Sequence, residues 1–136
     1  MDEARLEEDP VKLLPLLLAV GALGGAGGKV AFVQHGVFTH PADKGTWTMT
    51  RAIVDSGTFV GVCAPCSVDP VHLRRTYRGK LGTFVLLQLI HVPHDRWSLL
   101  SGTGRYAHLH GRGTCTVHIV VNEVSFRDPC TGTLSP

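Results

Sequence analysis

Residues 97–116 read WSLLSGTGRYAHLHGRGTCT, two glycine-rich turns between segments of extended character. The Gly-Thr pair that occurs twice in this stretch occurs four more times along the chain, beginning at Gly45, Gly57, Gly82 and Gly132. Glycine accepts the backbone angles of a turn and the β-branched threonine favours extended backbone, so each pair is typical of the start of a strand. These pairs predict at least six β-strands.

Outside this stretch, the chain after residue 28 has the same character, with short connections rich in Pro, Asp, Asn and Gly. We predict strands over residues 30–38, 45–54, 58–62, 73–78, 83–92, 96–101, 113–121 and 123–131, and a helical turn over 106–110. An open sheet of this size would leave two unpaired edges, and closure into a barrel removes them. The sequence therefore predicts an all-β fold, a closed antiparallel barrel of about eight strands.

The length of 136 residues indicates one domain with one core. The net charge is +2, and because residues 1–28 contribute −3, residues 29–136 carry +5. The densest basic cluster is Arg74, Arg75, Arg78 and Lys80, which we interpret as a solvated face of a strand and turn. Nucleic-acid binding needs a broader stripe of Lys and Arg, so we expect no nucleic-acid partner.

Residues 13–28 (LLPLLLAVGALGGAGG) form an uncharged apolar leader. The leader is shorter than the roughly 20 residues of a membrane-spanning helix, but it has the length and the small terminal residues of a signal peptide cleaved near Ala26 or Gly28. We divide the chain into an acidic start plus signal peptide, residues 1–28, and a barrel domain, residues 29–136. We expect a secreted or extracytoplasmic protein with no stable membrane span. The alternative is an amphipathic or core helix packed on the domain.

The acidic residues of segment 2–9 do not suit a signal peptide, which begins with positive charge. Our hypothesis is that translation starts at Val11, because the codon GTG encodes valine internally and methionine as an initiator. Lys12 would then supply the positive charge. Mass spectrometry of the native amino terminus tests this hypothesis, and a retained 2–9 peptide would contradict it.

The four cysteines are an even number, as expected for disulfides in an exported domain. Cys63 and Cys66 lie close together in the sequence, and Cys115 and Cys130 lie in the last two predicted strands, but the sequence does not choose among the three pairings. A redox Cys-x-x-Cys pair and a four-cysteine zinc site are alternatives. The segment after Cys66 does not resemble the helix of a redox site, and Cys115 and Cys130 are too far apart for a paired zinc motif. We favour disulfides or inert buried thiols, and predict no metal and no cofactor.

Residues 97–116 resemble the signature of bacterial members of the allene oxide cyclase barrel-like superfamily, which also contains the plant dirigent proteins. In that family a strand ends in Gly-Thr-Gly, a basic or small residue, an aromatic residue and Ala follow, and Gly-x-Gly-Thr opens the next strand. The matching positions are Gly102, Thr103, Gly104, Arg105, Tyr106, Ala107, Gly111, Gly113 and Thr114. The resemblance extends more loosely over residues 45–134. It implies an eight-stranded antiparallel barrel, often trimeric, whose cavity binds hydrophobic small molecules and guides a cyclisation or a radical coupling.

Catalysis inside a barrel needs a polar group held in apolar surroundings, where burial shifts its pKa. Among the acidic residues, Glu123 and Asp55 lie at predicted strand ends that would face a barrel mouth, so we choose both as catalytic candidates. The alternative for each is a turn or surface position. We interpret Asp43, Asp69 and Asp95 as turn residues.

His118 lies in the middle of a predicted strand, on the same face as Thr114. If that face lines the cavity, His118 is our preferred general base or ligand contact; otherwise it is a strand histidine with no such role. Trp47, Tyr106 and Arg105 are our candidates for ligand binding, with core packing as the alternative for Trp47. The other histidines lack the regular spacing of a metal site.

These features lead to three functional hypotheses. The first is an exported barrel that binds a hydrophobic small molecule in its cavity, and the second is an isomerase or cyclase that acts on such a molecule. The third is a structural or interaction role, which would follow if side chains filled the interior. The strand over residues 83–90 is apolar on both faces except at Gln88, which further predicts contact with a second copy of the chain.

Overall fold

The computed structural model describes residues 27–120, 122 and 124–136. The strands are β1 Gly28–Thr39, β2 Ala42–Arg51, β3 Asp55–Cys63, β4 Val71–Gly79, β5 Thr83–His91, β6 His94–Gly102, β7 His110–Thr116, β8 His118–Ile119 and β9 Ser125–Ser135. A 3₁₀ helix, Gly104–Tyr106, lies between β6 and β7. Within the described part of the chain, no helix has the length and apolar character needed to cross a membrane. The predicted leader lies outside the described residues, except for its last two positions.

The sheet is closed. Each strand from β1 to β6 pairs antiparallel with the next, and β9 pairs with both β7 and β1. The two-residue strand β8 pairs with the beginning of β9, where Ile119 is opposite Phe126. The fold is therefore an eight-stranded antiparallel barrel with one short additional strand, which confirms the predicted fold class. Both ends of the described chain meet at one end of the barrel, because Gly28 in β1 pairs with Leu134 in β9.

The Gly-Thr pairs have a different structural role from the one we predicted. Thr83 does begin β5, but Gly57, Gly113 and Gly132 lie inside strands. A β-carbon at Gly113 or Gly132 would overlap the indole ring of Trp97. These two glycines are therefore needed because a large buried ring packs against the backbone, and they do not mark strand starts.

The helical turn that we predicted over residues 106–110 lies instead at Gly104–Tyr106, so only Tyr106 belongs to both. Gly104 has φ +57°, a left-handed conformation that glycine adopts at little cost. A β-carbon there would also overlap the carbonyl oxygen of Leu81. The second glycine of the Gly-Thr-Gly sequence is thus required both by the backbone angle and by the close approach of the neighbouring chain.

The inward-facing side chains make the two ends of the barrel interior chemically different. The plugged end contains six large rings, those of Phe32, Trp47, Tyr77, Phe84, Trp97 and Tyr106. The rings pack edge to face, tilted or stacked, with centroid distances of 5.2 Å for Trp47 and Phe84, 4.5 Å for Phe84 and Tyr106, and 4.7 Å for the stacked Tyr77 and Phe84. The opposite end, which we call the mouth, is lined mainly by aliphatic side chains together with Phe38 and Phe126, and a layer of polar side chains separates the two ends.

Candidate functional site

The polar layer consists of seven inward-facing side chains from six strands, each at most 4% exposed to solvent. They are Gln34, Asp43, Arg75, Tyr77, Gln88, Asp95 and Asp128. Each lies on the inner face together with an apolar or glycine residue two positions away in its strand, because residues two apart in a strand share a face. A buried polar side chain is costly unless it has partners, so this layer is the chemically distinctive part of the interior.

Arg75 occupies the centre of the polar layer. Its Nε and Nη2 atoms donate hydrogen bonds to Oδ2 of Asp43, at 3.1 and 2.5 Å, and its Nη1 donates to Oε1 of Gln88. The guanidinium carbon also lies 5.3 Å from the ring centroid of Phe59 and 5.0 Å from that of Phe126. Burial alone lowers the pKa of Arg75, but the acidic groups around it outweigh that effect and raise its pKa. Arg75 is therefore a permanently charged group with all three nitrogens engaged.

Two amides and a phenol extend the network. Gln34 donates from Nε2 to Oδ2 of Asp128 at 3.0 Å, and it accepts a hydrogen bond from the Tyr77 hydroxyl. Gln88 donates from Nε2 to the same hydroxyl at 3.3 Å. Burial raises the pKa of Tyr77, so its hydroxyl stays protonated and remains a donor. The orientation of both amides follows from these contacts.

The network leaves three carboxylate oxygens without a hydrogen bond of normal geometry to any described residue: both oxygens of Asp95 and Oδ1 of Asp128. Burial raises the pKa of Asp95 to about 7; repulsion from Asp128 adds to this shift and attraction to Arg75 reduces it. Burial also raises the pKa of Asp128, although Gln34, Arg75 and the backbone N–H of His118 act in the opposite direction. Both carboxyl groups are thus poised to exchange a proton or to accept a donor from a ligand.

A cavity of about 220 Å³ opens at the mouth, above the polar layer. Its walls include the apolar side chains of Phe38, Val71, Leu73, Ile90, Val117 and Phe126, and its floor is formed by Asp43, Arg75 and Asp128. The space enclosed at the plugged end is only about 10 Å³. We call the larger space the mouth cavity. An apolar wall with a few convergent polar groups is the usual composition of a small-molecule site.

Several candidates from the sequence lie at the plugged end, away from the mouth cavity. The carboxylate of Asp55 accepts hydrogen bonds from the Tyr106 hydroxyl at 2.6 Å and from the backbone N–H groups of Ser56 and Lys80, at 2.8 and 2.9 Å. Burial raises the pKa of Asp55, but these hydrogen bonds and another from a backbone amide outweigh it, so the pKa is lowered overall. Asp55 therefore holds the strand ends together as an ionised acceptor.

The remaining candidates are dispersed. Trp47 is buried in the core and donates from its indole nitrogen to the carbonyl of Thr58 at 3.0 Å, which agrees with the core-packing alternative. Arg105 is half-buried in the 3₁₀ helix. His118 approaches Asp128 through its backbone N–H, while its side chain is on the exposed outer face of the barrel. Glu123 lies outside the described residues.

Two interpretations from the sequence are wrong. Asp43 and Asp95 are not turn residues but buried strand residues of β2 and β6, and Arg75 faces the interior, whereas Arg74 and Arg78 are solvated. The period-two pattern contained this signal, since Arg75 lies between the buried Leu73 and Tyr77, and Asp128 lies between Phe126 and Cys130 in the same way. The parity of these two strands therefore indicated that Arg75 and Asp128 face the interior, but not which residues they would meet there.

The four cysteines form two disulfides, Cys63 with Cys66 and Cys115 with Cys130, which is one of the three pairings that the sequence left open. The second joins opposed residues of β7 and β9, and the first lies at the mouth, where Cys63 lines the cavity. His40 approaches Cys63 and Cys66 closely enough for a shared metal ion, but in the disulfide neither sulfur is a thiolate ligand. Disulfides are typical of proteins in oxidising compartments, with which an extracytoplasmic location is consistent.

Comparison of the sequence with models of known protein families gives no match, and no curated protein matches the chain.

Proposed function

We propose that the protein is an exported barrel that binds a small hydrophobic molecule in the mouth cavity. The observation that carries this proposal is the contrast between the two ends of the interior, of which one is filled by aromatic rings and the other has an open cavity of about 220 Å³. Side chains that serve only to stabilise the barrel would fill both ends, because protein interiors are close-packed. The two disulfides support the exported location.

The size of the mouth cavity limits the ligand. Pockets for drug-sized molecules enclose roughly 300–1,000 Å³, so the ligand is either smaller than these molecules or projects from the mouth. The apolar walls would bury its hydrocarbon part, and Asp43, Arg75 and Asp128 would contact a polar group at its inner end. The closed eight-stranded barrel supports the resemblance to the allene oxide cyclase barrel-like superfamily, and membership of that superfamily is part of this proposal.

Binding can be tested with a neutral probe of suitable size, cyclohexylmethanol, titrated into the ¹⁵N-labelled protein. We expect shifts of backbone amide resonances at mouth residues such as Leu73 and Ile90, and none at Tyr106. Val117→Phe should weaken binding by about tenfold or more, because the larger ring would occupy the mouth cavity. The matched control is Val60→Phe, on the exposed outer face of β3. Absence of shifts for this and other small apolar probes would favour a structural role.

Native mass spectrometry of the protein from its host would identify a ligand that co-purifies with it. The same preparation would reveal whether the mature chain begins after the leader, as the exported location requires. An oligomer would be visible in the same spectrum. The outer face of β5 presents Val85, Leu87 and Leu89, each only partly buried, and these are the residues that we expect at a contact between copies.

The second candidate is an isomerase or cyclase that uses the same cavity. The observation that favours it is Asp128, a cavity-lining carboxyl group whose pKa burial raises, in contact with a fixed positive charge at Arg75. A carboxyl group of this kind can act as a general acid or base. Isomerisation leaves the mass of the ligand unchanged. Incubation of the protein with its co-purifying ligand should therefore give a product with the same mass and a different chromatographic retention. Asp128→Asn should abolish its formation.

A further inference from the structure

The charges of the polar layer do not balance. Asp43, Asp95 and Asp128 are three acidic groups, and Arg75 is the one basic side chain among the layer's members. Arg75 is in close contact with Asp43, while its Nη1 atom is 3.9 Å from Oδ2 of Asp128. Ionised carboxylates are stable in an interior only with partners that neutralise them. The floor of the mouth cavity therefore has an excess of negative charge when these acids are ionised.

The polar layer also has more hydrogen-bond acceptors than donors to pair with them. The unpaired atoms of the layer are all acceptors, namely both oxygens of Asp95 and Oδ1 of Asp128. Of these two residues, Asp128 lines the mouth cavity. The backbone N–H of His118 approaches Asp128 without making a hydrogen bond of normal geometry, and the side chain is about 1% exposed, so neither this group nor solvent satisfies Oδ1. A ligand at this position must donate hydrogen bonds in order to satisfy the floor.

An anionic ligand would find little to bind. The nitrogens of Arg75 are engaged with Asp43 and Gln88, and its planar faces lie near the rings of Phe59 and Phe126. To reach Arg75, an incoming carboxylate or phosphate would have to displace Asp43 and approach Asp128, a like charge. The only cation of the layer is therefore already occupied.

We propose that the ligand of the mouth cavity is an apolar amine, whose ammonium group binds beside Asp128 while its hydrocarbon part contacts the cavity walls. This inference rests on the proposed function and specifies the class of ligand. The ammonium group supplies both the positive charge and the N–H donors that the floor lacks. The apolar walls, which include Leu73, Ile90 and Phe126, account for the rest of the molecule.

Three probes with a common carbon skeleton separate this inference from the proposed function: cyclohexylmethylamine, cyclohexylmethanol and cyclohexanecarboxylate. Their dissociation constants would be measured by NMR titration at pH 8, where the amine is protonated. We expect the amine to bind about tenfold or more tightly than the alcohol, and the carboxylate to bind most weakly. Equal or tighter binding of the alcohol or the carboxylate would overturn the amine inference and leave the proposed function standing. Binding of none of the three would contradict both.

Asp128→Asn provides the second test, because the substitution keeps the shape and removes the charge. We expect the variant to bind the amine about tenfold more weakly than the wild-type protein does, and still to bind the alcohol. The alcohol thus reports whether the cavity is still formed. The matched control is Asp69→Asn, at an exposed site beside His91 that does not line the cavity. An amine affinity in Asp128→Asn equal to that of the wild-type protein would refute the assignment.

Discussion

Replacing Arg75 with methionine would test the polar layer at its centre. Methionine keeps most of the length of the side chain but removes the charge, so that Asp43, Asp95 and Asp128 lose their cation. Arg75 and Asp43 are only 2% and 4% exposed, and solvent therefore screens their interaction little. Removing one partner of a buried ion pair costs about 3–5 kcal/mol. We expect Arg75→Met to lower the free energy of unfolding by that amount.

The assay is urea denaturation followed by tryptophan fluorescence, since Trp47 and Trp97 are both buried in the core. The matched control is Arg74→Met, the exposed neighbour in the same strand, which should change the free energy of unfolding by no more than about 0.5 kcal/mol. The double variant Arg75→Met with Asp43→Leu should be more stable than Arg75→Met alone, because it also removes the carboxylate that has lost its partner. If Arg75→Met costs no more than Arg74→Met, Arg75 does not organise the layer.

Three further predictions concern stability. Replacing Cys115 and Cys130 with serine should lower the free energy of unfolding by about 3 kcal/mol, as expected for a sequence separation of 15; an unchanged urea midpoint would contradict this. The free energy of unfolding should fall as pH rises from about 4 to about 7, because in this range folded Asp95, with its pKa raised to about 7, holds a proton that the unfolded chain has released. Urea midpoints at several pH values should show this slope, and Asp95→Asn should reduce it. Tyr106→Phe removes the hydrogen bond to Asp55 and should cost about 1.5–3 kcal/mol in urea denaturation without changing the affinity of the mouth cavity for the alcohol probe.

The fold was predictable because strand alternation and turn residues are local properties of the sequence. The segment predicted over residues 83–92, for example, corresponds to β5, Thr83–His91. Closure was predictable from the number of strands, since a barrel removes both unpaired edges. The reason we gave for the Gly-Thr pairs was only partly right. Gly132 lies inside β9, and a glycine is needed there because the ring of Trp97 packs against the backbone. Trp97 is distant in the sequence, so this requirement has no local signal.

The polar layer was not predicted because its partners are far apart in the chain. Asp43 lies in the segment Pro41-Ala42-Asp43, whose composition is typical of a turn. Its partner Arg75 is 32 residues away and faces it only once the barrel has closed. Local preference favours a solvated position for both residues, whereas their mutual contact makes burial tolerable. Sequence reasoning that assigns each charged residue by itself will place such a pair on the surface.

The side chain of His118 illustrates the limit of a parity argument on its own. We predicted one strand over residues 113–121 with His118 in its middle, but the structure ends β7 at Thr116 and begins the two-residue strand β8 at His118. His118 and Thr114 are both exposed, so the face that alternation predicted they share points outward. That choice depends on the buried Cys115, whose disulfide to Cys130 belongs to the interior. The candidate site accordingly lies on the inner face of the strands, among residues such as Asp128.

The pairing of Gly28 with Leu134 has a practical consequence for handling the molecule. Both residues are at the plugged end, so a tag, fusion partner or sensor surface attached beyond the described carboxyl terminus would be held on the side away from the mouth. An immobilised sample would then present the opening of the barrel to the flowing solution. Surface-based binding measurements with small amines should therefore be free of obstruction by the attachment itself.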